Sequence, residues 1–370
     1  MFKRIAGIQV LASGAFLACF TYIAIYADES GLSRFEISLM ASVYSAATFF
    51  SAYIYGRLAD QYGKRRVLIS GLFVLVFLVA AQALARDMFS FISFRFLAGI
   101  GFGMYPAALA AYAFDARVKM GRFSAYGALG WGLSLLSAGF VAERFGVYSI
   151  FIFAAAMVLI ALLISMKLGP IPEIRVKTPL FPLKMILKNY RILLPFILRH
   201  STASAIWVLW PIFLHDRIGL DLWEIGVVQA VNALTQVISM YGIGDRLRPK
   251  VSIIIGLVSS AAAFISFPLI QTFPLFLITQ VLLGFSWANL YVGSLRLMLD
   301  RNRERATAAG LLTSSMSFSS LLGPIISMII VQLLPRSSFE APMYLAFFVS
   351  IMASIFFLSQ MRRIKCVEQG

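Results

Sequence analysis

Runs of about 20 apolar residues, each nearly free of charge, recur along the whole 370-residue chain, and each is long enough to cross a hydrocarbon core of about 30 Å as a helix. Twelve such spans are read, at roughly 5–27, 37–55, 67–85, 89–113, 123–141, 148–166, 192–214, 225–241, 251–270, 275–299, 307–334 and 342–360. A mean hydropathy of +0.86 and 33 Phe, against 13% charged residues, leave no room for a soluble domain. The expected fold class is therefore an all-α membrane protein. The first run follows Lys3 and Arg4, as a signal peptide would, but it is too long and leads into YADES rather than a small-residue cleavage site. It reads as an uncleaved first helix. Cys19 and Cys366 are too few and too far apart for a disulfide framework.

The net charge of +16 would suggest nucleic acid in a soluble protein. Its placement says otherwise. Loops on the side of the N-terminus carry 24 Lys and Arg, and loops on the other side carry five: Arg34, Arg86, Arg144, Arg217 and Arg336. This asymmetry predicts a cell-membrane protein with both termini in the cytoplasm and an even number of spans. The basic excess is topology, and no nucleic-acid partner is expected.

The chain repeats weakly at an offset of 185 residues: Asp60 with Asp245, Gly71 with Gly256, Gly99 with Gly284, and Asp115 with Asp300. Glu36 and Asp221 keep an acid at the same offset. Six spans followed by six in the same order form a parallel repeat about an axis along the membrane normal. The expected domains are a first bundle over 1–166, a linker over 167–191 holding Pro170, Pro172, Pro179 and Pro182, and a second bundle with a short tail over 192–370.

Between the second and third spans stands GRLADQYGKRR. Gly56 would let two helix ends approach closely, Gly63 would permit the hairpin turn, and Lys64, Arg65 and Arg66 would hold the loop on its side. Asp60 is a single anion near helix termini, where an acid gains about 0.3–1 kcal/mol. Gly56, Asp60, Gly63, Lys64, Arg65 and Arg66 match G-x-x-x-D-x-x-G-[RK]-[RK]-[RK], and a degraded copy, GDRLRPK, holds Asp245. Arg95, Gly99 and Gly103 fit R-x-x-x-G-x-x-x-[GA] in the fourth span. With these motifs the chain resembles the major facilitator superfamily over essentially its full length. The resemblance implies two pseudo-symmetric six-helix bundles working by alternating access. It also implies a cytoplasmic gate at Gly56, Asp60, Gly63, Lys64, Arg65, Arg66 and Asp245, with Asp60 closing against the start of the eleventh span. The bland alternative is a loop that only enforces topology, which three bases would do without the acid.

All 16 acids fall in loops or at span ends. The mid-membrane charges are basic. Arg95 is a candidate for the transport cycle or for clamping carbonyls, and Arg199 with His200 for a cavity that meets an anionic or polar substrate. His200 is also the candidate for taking up a coupling proton. Arg296 reads as a snorkelling base four residues from Asp300. Gln229, Asn232 and Gln236 share one helix face, as do His200, Ser204 and Trp207. With Tyr22, Tyr26, Trp287 and Tyr291 they are read as cavity-lining residues, against a plainer role in interhelical packing. The Gly-Pro pair that the resemblance leads one to expect in the fifth span is absent, and Gly323-Pro324 stands in the repeat-related place. Drug–proton exchange gains no support from that feature.

Nothing in the sequence favours an enzyme: there is no HExxH, no mid-membrane Asp pair, and no cysteine site. No metal or cofactor is expected. The reading is a monomeric secondary carrier of a small organic solute, weighted towards efflux, with uptake of a polar or anionic solute as the alternative.

Overall fold

The computed structural model describes the chain except residues 173, 174, 177, 221, 335–338 and 364–370. Asp221, Arg336 and Cys366 thus lie outside the described residues. The described residues form helices and no strand, in agreement with the expected fold class. In order, α1 is Phe2–Glu29, α2 Arg34–Tyr62, α3 Lys64–Ala81, α4 Met88–Met104, α5 Pro106–Asp115, α6 Met120–Phe145 and α7 Ser149–Met166. The remainder are α8 Leu183–Ile212, α9 Leu222–Gly242, α10 Pro249–Ser266, α11 Phe273–Arg301, α12 Arg305–Leu333 and α13 Glu340–Gln360.

Two details of these elements differ from the sequence reading. The fourth span is two helices, because Pro106 opens α5 and has no N–H to continue the ladder of α4. The linker is also shorter than 167–191, since α8 begins at Leu183 and takes Lys184, Lys188 and Arg191 into its first turns. Of the twelve spans read from hydropathy, ten are long and apolar enough to cross a membrane among the described residues, α4 and α5 counting as one. The two left out are α2 and α9. In α9 the apolar run is diluted by Glu224, Gln229, Asn232, Thr235 and Gln236.

Outward-facing side chains suit lipid rather than water: Phe89 is 81% exposed, Leu136 78% and Phe140 68%. Large apolar side chains in such number on a surface mark contact with another apolar phase. The start of α2 is fixed by a capping box. The Ser33 hydroxyl accepts from the Glu36 N–H at 3.3 Å, and the Glu36 carboxylate accepts from the Ser33 N–H at 2.7 Å.

By contact the chain divides into two compact units, one of Met1–Pro182 with Asn302–Ser314, the other of Leu183–Arg301 with Ser315–Gly370. Within the first, α1 packs on α6 and α7, α2 on α4, and α3 on α4, α5 and α7. Within the second, α8 packs on α13, α9 on α11, and α10 on α11 and α13. The core of the second unit is aromatic: Trp210 lies 4.6 Å from Phe267 by ring centres, with Phe213, Phe264 and Phe276 around them.

Candidate functional site

The loop between α2 and α3 builds its geometry from one glycine. Gly63 closes α2 and opens α3 with φ of 104°, a region where a side chain would be strained. This tight turn brings Asp60, 1% exposed, to the first turn of α12, a segment that belongs by contact to the first unit. Asp60 Oδ1 accepts from the Ala306 N–H at 3.1 Å. Its Oδ2 accepts from both the N–H and the hydroxyl of Thr307, each at 2.7 Å. These amides are among those a helix leaves unpaired at its N-terminus, so the carboxylate acts as a cap supplied by a different helix. Burial pushes the Asp60 carboxyl above its ordinary value, and the bonds from Thr307 and Ala306 and the charge of Lys64 oppose that rise.

Approach this close needs small residues. A Cβ on Gly56 would stand 2.5 Å from the Ala306 carbonyl oxygen, and one on Gly310 would stand 2.4 Å from that of Ala52. Ser314 continues the seam by donating to the Phe49 carbonyl at 2.6 Å.

The three bases that follow Gly63 do different things. Lys64 is 2% exposed, and its Nζ lies 2.7 Å from Asp115 Oδ2. Asp115, the last residue of α5, also pairs with Arg305, the first residue of α12, whose guanidinium sits 4.7 Å from the centre of the Phe114 ring. Arg65 donates to the Met166 carbonyl at 2.8 Å, and Arg66 is exposed. Asp115 and Arg305 were missed as site residues. The repeat flagged Asp115 only through Asp300, and no spacing rule links residue 115 to residue 305.

The linker ties into the same place. The Asp60 carbonyl accepts from the Val176 N–H at 3.0 Å. Arg57 and Gln61 donate to the Thr178 carbonyl at 2.6 and 3.2 Å, and Tyr53 to that of Pro179 at 2.7 Å. Asp245, the counterpart of Asp60, is half-buried in its own turn, where Arg296 donates to the Gly244 and Leu247 carbonyls at 2.7 and 2.8 Å.

Two arginines inside the helices pair with no carboxylate among the described residues. Arg95, 2% exposed, donates to Gln82 Oε1 at 3.4 Å, and its guanidinium lies 4.0 Å from the Tyr44 ring centre and 5.7 Å from that of Phe20. Arg199, also 2% exposed, donates through Nε to the Ser260 hydroxyl at 2.8 Å, beside Phe264 at 5.1 Å and Trp287 at 5.5 Å. A cation desolvated against rings gains about 2 kcal/mol or more, which offsets part of the cost of burying it.

In the second unit His200, Trp287 and Tyr291 form a stack. The His200 and Trp287 ring centres are 4.9 Å apart, and those of Trp287 and Tyr291 are 5.6 Å apart. Asn232 receives a bond from Gln236 at 2.7 Å and gives one to Gln280 at 3.2 Å. Gln280 completes this carboxamide chain from α11, and its place 185 residues after Arg95 was the signal that could have found it.

The other expected cavity residues have these surroundings. Gln229 is exposed. Trp207 packs into the aromatic core against Trp210 and Phe267. Tyr22 packs against Ala18, Ala138 and Ile150. Tyr26 is buried, donates to the Ala83 and Ala85 carbonyls at 3.2 and 2.8 Å, and accepts from Arg86. Its hydroxyl is occupied by these groups, a tie between helix ends.

An all-helical, multi-pass membrane protein with this clamped loop falls in the class of solute transporters. The chain belongs to the Major Facilitator Superfamily, whose model matches residues 5–244 and 204–365. It is similar to the multidrug resistance protein MdtG of Escherichia fergusonii, 23% identical over 71% of this chain and 70% of the relative. The same protein of Escherichia coli strain SMS-3-5 is 24% identical over 84% of this chain and 82% of the relative. Among solved structures, the human organic anion transporter MFSD10 (TETRAN) superposes with a TM-score of 0.81 at 14% identity, covering 96% of this chain and 98% of that one. That likeness bears on the fold alone.

Proposed function

We propose that this protein is a secondary carrier of small organic solutes, working by alternating access and weighted towards export from the cell. The observation that carries the reading is the clamp of Asp60 on the first turn of α12. A contact made in one conformation and broken in the other biases the equilibrium between them. In this reading Gly56, Asp60, Gly63, Lys64, Arg65, Arg66 and Asp245 are the cytoplasmic gate, and both termini are cytoplasmic. The relatives named multidrug resistance proteins support export.

Arg95 serves the transport cycle by fixing α4 on α2 through Tyr44. His200 is the proposed proton acceptor if transport is coupled, because no carboxylate lies mid-span in the sequence. The protein works as a monomer in the plasma membrane and is not an enzyme. Uptake of a polar or anionic solute is the second reading, and Arg199 favours it.

Purified protein in liposomes decides. Saturable flux of a labelled organic solute, abolished in empty liposomes, is expected. Solute movement that does not saturate sinks the carrier reading, and dependence on an imposed pH gradient separates coupled from facilitated transport.

A further inference from the structure

We propose that the ring stack of His200, Trp287 and Tyr291, backed by Arg199, binds an aromatic organic anion. This rests on the carrier reading for its biological use, and on the second unit alone for its geometry.

Three observations converge on one side of α8 and α11. First, among the described residues Arg199 carries a positive charge that no carboxylate answers, and its Nη2 has no hydrogen-bond partner although the residue is 2% exposed. A buried cation in a medium of low dielectric projects its field much further than one in water. Second, the rings lie nearly parallel, at 24° between His200 and Trp287 and 19° between Trp287 and Tyr291. All three residues are half-buried, so the stack is not fully sealed. A further ring extends such a stack with the offset geometry that aromatic pairs prefer. Third, His200 Nδ1 is buried and unpartnered, one more polar atom awaiting a hydrogen bond.

The ligand these features fit has a flat aromatic body and one anionic group, a carboxylate, sulfonate or phosphate. The body lies on Trp287 and Tyr291, and the anion turns towards the free arginine nitrogen. An organic cation of the same shape meets Arg199 as a like charge, so the site discriminates by sign.

The test uses the full chain, purified, and four probes at equal concentration: naphthoate, naphthalenemethanol, naphthylmethylammonium and acetate. Naphthoate alone is expected to raise the unfolding temperature, with the dose dependence of ligand linkage, and to quench tryptophan fluorescence saturably. Arg199→Gln should weaken naphthoate binding roughly ten- to a hundredfold, the loss of a charge-assisted hydrogen bond, and Arg199→Lys should restore part of it. If Arg199→Gln does not fold, Trp287→Leu carries the test, with naphthoate binding lost.

Naphthoate that fails to bind, that binds no better than the ammonium, or that binds Arg199→Gln or Trp287→Leu undiminished overturns the proposal. Flux assays keep the two readings apart. Binding without flux leaves the site standing and removes the carrier, whereas flux of the ammonium without naphthoate binding does the reverse.

Discussion

At the scale of single residues the informative one is Asp60. Asp60→Asn keeps the shape but presents an amide donor to the Ala306 N–H, two donors facing each other where an acceptor stood. The variant should insert normally and shift the resting population away from the clamped state by about one to two orders of magnitude. Cysteine labelling of the first turns of α12 reads this out, and unchanged labelling rates count against a gate. The pH dependence has a definite sign. Because the clamped carboxyl ionises less readily than a free one, the clamped state holds its proton more tightly. Lowering pH through the interval above the ordinary value of 3.8 therefore favours the clamp. A neutral carboxyl still offers acceptor oxygens, so acidification and the Asn substitution should move labelling in opposite directions. Gly56→Val should resemble Asp60→Asn, since a side chain there meets the Ala306 carbonyl.

At the scale of elements, the carboxamide chain between α9 and α11 gives a stability prediction. Gln280→Leu leaves Asn232 with an unmet donor and should cost about 1–3 kcal/mol, seen as a lower unfolding temperature in detergent. Asn232→Leu should cost a similar amount, and the double variant less than the sum, because the two share one bond. The elements themselves were largely legible in the sequence, because twenty-residue hydropathy is a one-dimensional property. What escaped is instructive. Pro106 was visible, yet an apolar window averages over a break of one residue. The first turns of α8 read as linker in the sequence because prolines and bases crowd before them. The loop motif identified Asp60 and Gly63 by spacing, whereas Asp115 and Arg305 meet across 190 positions and no local pattern encodes that. That Tyr26 meets the Ala83 and Ala85 carbonyls and Trp207 the aromatic core was not legible, because aromatic side chains on a helix face carry no mark of which neighbour they will meet.

At the scale of the whole molecule, the chain is a member of a family that moves small molecules across membranes, and the residues here assign parts of that task to places. Asn302–Ser314 groups with the first unit, while the remainder of the same helix, from Ser315, groups with the second. Asp60, Asp115, Ala52 and Phe49 all hold the turns of α12 that precede Pro324, and if those turns move as one piece these holds let go together rather than in sequence. Turnover should then resemble the snapping of a catch, with half-released forms too short-lived to accumulate, and a crosslink at any one of the four positions should arrest the cycle as completely as a crosslink at all of them.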